Sequence, residues 1–175
     1  MFVYFDNNVL VDLVRSDVDP VSALAGSQFV IAVTPDLAAE YQQAIGNEKV
    51  SRAERELCVR LLSISVEAGI FGFGEAGSGY SGFDHGGFAS EEQIRLIAST
   101  PVSEKPGRAI PKHRTDAFLA ALASGAIVVT NDTGGHWKRA KAAGYHVYRW
   151  AELSVPGAAP SELAASLTQA LIRSK

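Results

Sequence analysis

The sequence contains very little cysteine, because Cys58 is the one thiol among 175 residues. A single thiol cannot form an internal disulfide, so a fold that depends on disulfide bonds is excluded. The segment around Cys58, RELCVRLL, has a helical pattern and predicts a buried thiol rather than a catalytic one. The spacings CxxC and HExxH are also missing, which argues against a preformed zinc site.

The sequence also lacks a long apolar run and an export signal. No apolar run approaches the roughly 20 residues that are needed to cross a bilayer, so we expect no membrane span. The first residues, MFVYFDNN, place an acid at the sixth position and do not have the basic and apolar regions of a signal peptide. We therefore expect a cytoplasmic protein.

An excess of positive charge is missing too, because the formal net charge is −3. This balance argues against a broad basic face that holds nucleic acid. It does not exclude a nuclease, because metal ions bound to acidic side chains attract phosphate. Hydrophobic residues make up 47% of the chain and charged residues 20%, as in a soluble globular protein. The length predicts one domain over residues 1–175.

Short β-branched or apolar segments alternate with helical patterns along the chain. FVYF, FVIAV, AIVV and HVY are typical of strands, and a helical segment follows each of the first three. This alternation predicts an α/β fold with a parallel sheet that is covered on both faces. A C-terminal amphipathic helix is predicted over 161–173.

A glycine-rich insertion interrupts the alternation over residues 69–88. It holds half of the chain's 16 glycines, interleaved with aromatic residues, and we predict a long loop from Gly69 to Gly87. Two interpretations stay open for it. It is either a mobile flap whose rings stack on unpaired bases, or a disordered surface loop or one that packs on a partner.

Two acids fall at positions where this architecture places active sites, and two more lie on predicted helices. Asp6 directly follows the first predicted strand, and Asp132 follows AIVVTN. In open parallel sheets, ligands collect at the carboxyl ends of the strands. Glu40 and Asp116 lie among small apolar residues, which indicates helix faces turned toward the core. Taken singly, each acid is equally well explained as a helix cap or a solvated residue.

Taken together, the four acids favour a metal site. Buried carboxylates without partners are costly, so several that converge need a cation. Hard oxygen ligands select Mg²⁺ or Mn²⁺. Such an ion activates a water molecule for attack on a phosphodiester. The pattern therefore predicts metal-assisted phosphodiester hydrolysis.

Four motifs resemble those of the PIN domain family. YFDNNVLVDL is similar to the opening of a PIN domain, TPDLAAEY supplies the expected Glu, KHRTDAFLAALA supplies the helix-opening Asp, and VVTND supplies the last acid. Their order and approximate spacing match from Asp6 to about Trp150.

The resemblance implies a three-layer αβα sandwich that cleaves RNA and leaves a 5′ phosphate. It implies that Mg²⁺ or Mn²⁺ is held by four residues, which are Asp6, Glu40, Asp116 and Asp132. Asn8 is implied as a polar partner that orients Asp6, and Asn131 as a second supporting residue. The resemblance also implies a toxin of a toxin-antitoxin pair, with an antitoxin protein as a partner, and a homodimer.

The sequence departs from the family at three places. Asn7 stands where the family often has Ser or Thr, and NDTGGHW does not continue to a second acid. The glycine-rich insertion is longer than in compact toxins. Substrate choice is the property that these departures affect most.

Several basic and aromatic residues near the acids have two interpretations. Lys112, His113 and Arg114 precede Asp116, and they are either contacts to RNA phosphates or a solvated helix start. His136 is either a proton-transfer group or a surface histidine, and we favour the surface position. Trp137 is predicted to belong to the core. These residues accompany the acid motifs without identifying the reaction.

Two other functions compete with the nuclease. A haloacid-dehalogenase-like phosphatase is suggested by FDNN and NDTGGHWKRAKAAGY, but it needs acids at Asn8 and near His136 that this chain lacks. A non-catalytic PIN-like domain would serve as an RNA-binding or protein-interaction module. The presence of all four acids weighs against it, because a scaffold gains nothing from carboxylates that repel one another.

Overall fold

A five-stranded parallel sheet lies at the centre of the fold in the computed structural model, which describes residues 1–71, 86–99, 113–153 and 162–173. The strands are β1 (Phe2–Phe5), β2 (Val30–Val33), β3 (Val66–Glu67), β4 (Gly69–Phe71), β5 (Gly86–Phe88), β6 (Ile127–Val129) and β7 (Val147–Tyr148). The sheet order is β3-β2-β1-β6-β7, and every pairing in it is parallel. Strands β4 and β5 form a separate parallel pair.

Helices cover the sheet on both faces. They are α1 (Leu10–Arg15), α2 (Pro20–Leu24), α3 (Pro35–Ile45), α4 (Arg52–Ile64), α5 (Glu91–Ala98), α6 (Arg114–Leu122), α7 (Gly135–Ala142), α8 (Trp150–Leu153) and α9 (Leu163–Arg173). Helices α1 and α2 contact α4, and α2 also contacts α9, whereas α5, α6 and α7 contact one another. The predicted α/β architecture is confirmed as a three-layer αβα sandwich. In the described part of the chain, no helix has the length and apolar composition that a membrane span requires.

Local sequence signals account for the helix starts. Thr34 caps α3 by accepting a hydrogen bond from the Leu37 amide, and Pro35 occupies the first helical position, where its missing N–H costs nothing. A complete capping box opens α4 at Ser51, and another opens α5 at Ser90. These caps fix where each helix leaves the sheet.

The core is built around the central strands. In β1, the side chains of Val3, Tyr4 and Phe5 are all buried, because helices cover both faces of this strand. The predicted burial of Cys58 is confirmed, and burial raises the pKa of its thiol to about 11. Trp137 is also buried in the core, as predicted.

The structure differs from the sequence prediction in the glycine-rich region. The predicted long loop from Gly69 to Gly87 is partly wrong, because β4 and β5 pair in register at its two ends. Residues 72–85, where a flap is predicted, lie outside the described residues. Strand β3 was not predicted, because its two residues are exposed and form no apolar run. The C-terminal helix is confirmed, and it begins at Leu163.

Candidate metal centre

The candidate metal centre lies at the carboxyl edge of the sheet, near the ends of β1 and β6. Its residues are Asp6, Glu40, Asp116, Asp132 and His136. Strand β1 pairs with β2 on one side and with β6 on the other, so the chain changes direction across the sheet at this point. Ligands bind at such switch points in open α/β sheets. Phe5 is in register with Val129, and the Asp6 amide donates to the Val129 carbonyl at 2.9 Å. Asp6 therefore lies beside the residues that follow β6.

Asp6 is a confined carboxylate with two side-chain donors. It is 4% exposed, and its Oδ2 accepts hydrogen bonds from Asn8 Nδ2 at 2.8 Å and Thr130 Oγ1 at 2.7 Å. Burial raises the pKa of Asp6 to about 7, the Thr130 hydrogen bond opposes this rise, and the charges of Asp116 and Glu40 add to it. The Asp6 carboxylate thus lies within electrostatic reach of two further acids.

Asn8 and Asn131 connect the segments that follow the two central strands. Asn8 Oδ1 accepts a hydrogen bond from the Asn131 amide at 2.9 Å. The Asn131 side chain donates to Asp12 Oδ2 at 2.7 Å and accepts from the Trp150 amide at 3.3 Å. Asn8 is therefore held in place while it donates to Asp6.

Glu40 lies on α3 and Asp116 lies on α6. An ion pair between Asp36 and Arg114 joins these two helices. Two nitrogens of Arg114 donate to the carboxylate of Asp36. The distances are 2.7 Å from Nε to Oδ2 and 2.6 Å from Nη2 to Oδ1. Thr115 Oγ1 donates to Glu40 Oε1 at 2.6 Å. The two helices are thus fixed to each other beside the acids that they carry.

Asp116, Asp132 and His136 form a compact group of possible ligands. One ligand atom from each residue lies within 4.8 Å of the others. The loop that carries Asp132 is ordered by two hydrogen bonds. The Asp132 amide donates to Thr130 Oγ1 at 3.1 Å, and Asp132 Oδ1 accepts from the Gly134 amide at 2.9 Å. Asp116 and Asp132 are only partly buried, so this group is open on one side.

His136 is buried in this group, so the predicted surface position is wrong. The residue lies on α7 and is 5% exposed, and its ring contacts those of His113 and Trp137. Nε2 is buried without a hydrogen-bond partner and lies 3.8 Å from Asp116 Oδ2. Burial lowers the pKa of His136 against the opposing charges of Asp116 and Asp132. The neutral imidazole, which has a free lone pair, is therefore favoured.

Close packing fixes the His136 ring. A Cβ atom on Gly134 would lie 3.0 Å from His136 Cε1, so glycine leaves the space that the ring occupies. The indole of Trp137 meets the imidazole edge-on, with ring centroids 5.1 Å apart. The ring thus faces the acids in one orientation.

The basic residues predicted as RNA contacts differ in their surroundings. Lys112 lies outside the described residues. His113 has a left-handed backbone with φ of 65°, and its Nδ1 lies 3.1 Å from Asp116 Oδ2. The guanidinium of Arg114 is engaged with Asp36. A contact between RNA and any of these three residues stays a prediction.

Several residues that shape the centre were not identified from the sequence. Thr115 and Thr130 stand next to or near predicted ligands, and that adjacency was the available signal. Asp36 looks like an ordinary first-turn acid, and its partner Arg114 is 78 residues away in sequence. Tyr41 donates from its hydroxyl to the Phe5 carbonyl, which ties α3 to the end of β1.

The chain matches no family model, no curated protein and no solved structure. Any function is therefore inferred from the chemistry of the acids and of His136 at the switch point.

Proposed function

We propose that the protein is a PIN-like, metal-dependent endoribonuclease that hydrolyses phosphodiester bonds in RNA. The observation that carries the proposal is the environment of Asp6. Burial and the negative charges of Asp116 and Glu40 raise the pKa of this carboxylate to about 7. A fold gains nothing from like charges held together in a confined space unless a cation binds there.

The residues present fit a divalent cation. Asp6, Glu40, Asp116 and Asp132 would hold Mg²⁺ or Mn²⁺, which prefer oxygen ligands. The unpartnered Nε2 of His136 supports a cation at this place, because buried polar atoms normally have a partner. When bound, the ion lowers the pKa of a water molecule and stabilises negative charge on the phosphodiester.

The remaining residues of the chain orient the acids. Thr130 and Asn8 direct hydrogen bonds to one oxygen of Asp6, which fixes the orientation of its carboxylate. Thr115 orients Glu40 in the same way. The partly exposed Asp116 gives a phosphate access to the site from solvent. The chain thus supplies a closed side that holds ligands and an open side that admits substrate.

We extend the proposal to the biological setting that the PIN resemblance implies. The protein would act as the toxin of a toxin-antitoxin pair, and a small antitoxin protein would block the open side of the site. A homodimer belongs to the same proposal. Co-expression with the product of a neighbouring reading frame, followed by copurification and an activity assay, tests this extension.

Cleavage of single-stranded RNA tests the proposal directly. The purified protein should cleave a 5′-labelled RNA with Mg²⁺ or Mn²⁺, produce 5′-phosphate ends, and stop when EDTA is added. Asp116→Asn should reduce the rate by at least about 100-fold while the fold is retained, because it removes one ligand charge.

Glu56→Gln is the matched control for this experiment. Glu56 is an exposed acid on α4 that pairs with Arg52, so its loss should leave cleavage unchanged. Full activity in EDTA or in Asp116→Asn would refute the proposal. Tight RNA binding without cleavage would instead favour the non-catalytic PIN-like module.

A further inference from the structure

We propose that His136 is a metal ligand, so that the site bounded by Asp116, Asp132 and His136 binds Mn²⁺ and other first-row transition dications in preference to Mg²⁺. This inference deepens the proposed function, on which it rests for the presence of a metal. It adds a nitrogen donor that the four acid motifs do not include.

The first support is that the buried imidazole of His136 has a ring nitrogen with no partner. His136 is 5% exposed, and its Nε2 is buried without a hydrogen-bond partner. Leaving a buried polar atom unpaired costs the free energy of removing it from water. The nearest acid oxygen, Oδ2 of Asp116, is 3.8 Å away, which is too long for a hydrogen bond. A cation between the two atoms would give Nε2 the partner that it lacks and would also bind Asp116 Oδ2, which already lies 3.1 Å from His113 Nδ1.

The second support is that the backbone at the start of α7 places Asp132 and His136 close together. Asp132 and His136 flank the start of α7, and the Gly134 amide binds Asp132 Oδ1 at 2.9 Å between them. Gly134 has no Cβ, and the imidazole packs so closely against it that a Cβ there would lie 3.0 Å from Cε1. The ligand atoms of Asp116, Asp132 and His136 consequently lie within 4.8 Å of one another without rearrangement of the backbone.

The donor set determines the preference for a metal. Mg²⁺ binds oxygen ligands almost exclusively and keeps several waters, whereas imidazole suits transition metals. Two carboxylates and one imidazole therefore favour Mn²⁺ over Mg²⁺, and Co²⁺ or Zn²⁺ should bind more tightly still in the usual order of affinities. A site made of the four acids alone would not discriminate in this way.

Electron paramagnetic resonance of Mn²⁺ added to the metal-free protein tests the inference without any assay of activity. Pulsed spectra of the bound Mn²⁺ should show coupling to a histidine ¹⁴N, and this pattern should change to that of ¹⁵N when the histidines are labelled. Mg²⁺ should displace the bound Mn²⁺ only at much higher concentration.

Two variants assign the nitrogen to one residue. His136→Gln should lose the coupling and bind Mn²⁺ at least about tenfold more weakly, because even changes to residues that merely hold metal ligands cost 10–100-fold. His113→Gln is the matched control, because it removes the other imidazole next to Asp116 and should keep the coupling. Circular dichroism checks that each variant folds. The isotope experiment on the unaltered chain does not depend on that outcome.

The results separate this inference from the proposed function. Bound Mn²⁺ without nitrogen coupling, or coupling that survives in His136→Gln, would overturn the inference and leave the nuclease proposal in place. Mg²⁺ affinity equal to or above that for Mn²⁺ would also overturn it. A protein that binds neither ion would refute both.

Discussion

Asp6 is the buried member of the four acids, and its protonation connects the site to stability. Its pKa in the fold is about 7, against an ordinary value of 3.8, because burial and two neighbouring acids disfavour the charge. Between these values the folded chain holds a proton that the unfolded chain has released. The stabilising effect is fully present below the ordinary pKa and is lost as the pH rises through about 7.

The stability of the metal-free protein should therefore fall between about pH 4 and pH 7. Asp6→Asn should remove this dependence and raise the free energy of unfolding at pH 8 by up to about 4 kcal/mol, because the pKa of Asp6 is about three pKa units above 3.8 and each unit corresponds to 1.36 kcal/mol. Urea unfolding in EDTA at several pH values measures both effects. An unchanged pH slope in Asp6→Asn would contradict the assignment, and Glu56→Gln provides the exposed control.

Among single residues, the sequence predicted the position of Asp6 at the edge of the sheet but did not predict the burial of His136. An acid that directly follows an apolar strand must lie at the sheet edge, so its position follows from the architecture. The burial of His136 depends on how α7 packs against α6, and those helices are brought together by tertiary contacts. The same sequence segment is compatible with an exposed histidine, so no local pattern distinguishes the two outcomes.

At the scale of elements, one ion pair fixes the helices that carry Glu40 and Asp116. The side chain of Arg114 is 13% exposed and that of Asp36 is 6% exposed, so their two-point contact is shielded from solvent. A buried pair adds little net stability, but removing one partner leaves a buried charge unpaired. The pair therefore acts mainly by fixing the position of α3 against α6.

Asp36→Asn should destabilise the fold by about 3–5 kcal/mol, the usual effect of breaking a buried pair. The double variant Asp36→Leu with Arg114→Met should recover most of this loss, because it leaves no unpaired charge. Urea unfolding of both variants measures the difference. A loss below about 1 kcal/mol in Asp36→Asn would show that the pair is screened by solvent.

Gly134 caps the start of α7 and lies against the His136 ring. Gly134→Ala should displace the His136 ring and weaken Mn²⁺ binding about tenfold, because the new Cβ would lie 3.0 Å from Cε1. Gly125→Ala is the matched control, since no atom lies within 4 Å of a Cβ there. Titration of Mn²⁺ by electron paramagnetic resonance compares the two. Equal affinities would show that the ring adjusts without cost.

The strands show which elements a sequence reveals. β1, β2 and β6 are apolar runs that are buried in the sheet, so their composition predicts them. β5 consists of Gly86, Gly87 and Phe88, and glycine has a low intrinsic preference for strands. It forms a strand because it pairs with β4, a contact that joins the two ends of the insertion. Pairing of this kind has no local signature.

At the scale of the whole molecule, the candidate metal centre depends on both helical layers and the sheet. Asp6 follows β1 and Asp132 follows β6, while Glu40, Asp116 and His136 lie on α3, α6 and α7. No single element holds enough of these candidate ligands to form the proposed site alone. A metal that needs all of them binds only the folded chain, so its binding free energy adds to the stability of the whole fold.

Mn²⁺ should consequently shift one cooperative unfolding transition of the entire chain. At a free concentration of about 100 times its Kd, it should add about 2.7 kcal/mol to the free energy of unfolding. Asp116→Asn should lose this gain while it unfolds in one transition without metal, because the substitution removes a ligand and leaves the core intact. Scanning calorimetry with Mn²⁺ and with EDTA measures the shift. Two separated transitions, with only one of them moved by Mn²⁺, would show that the ligands belong to a part of the chain that folds independently. An equal shift in Asp116→Asn would place the ion elsewhere.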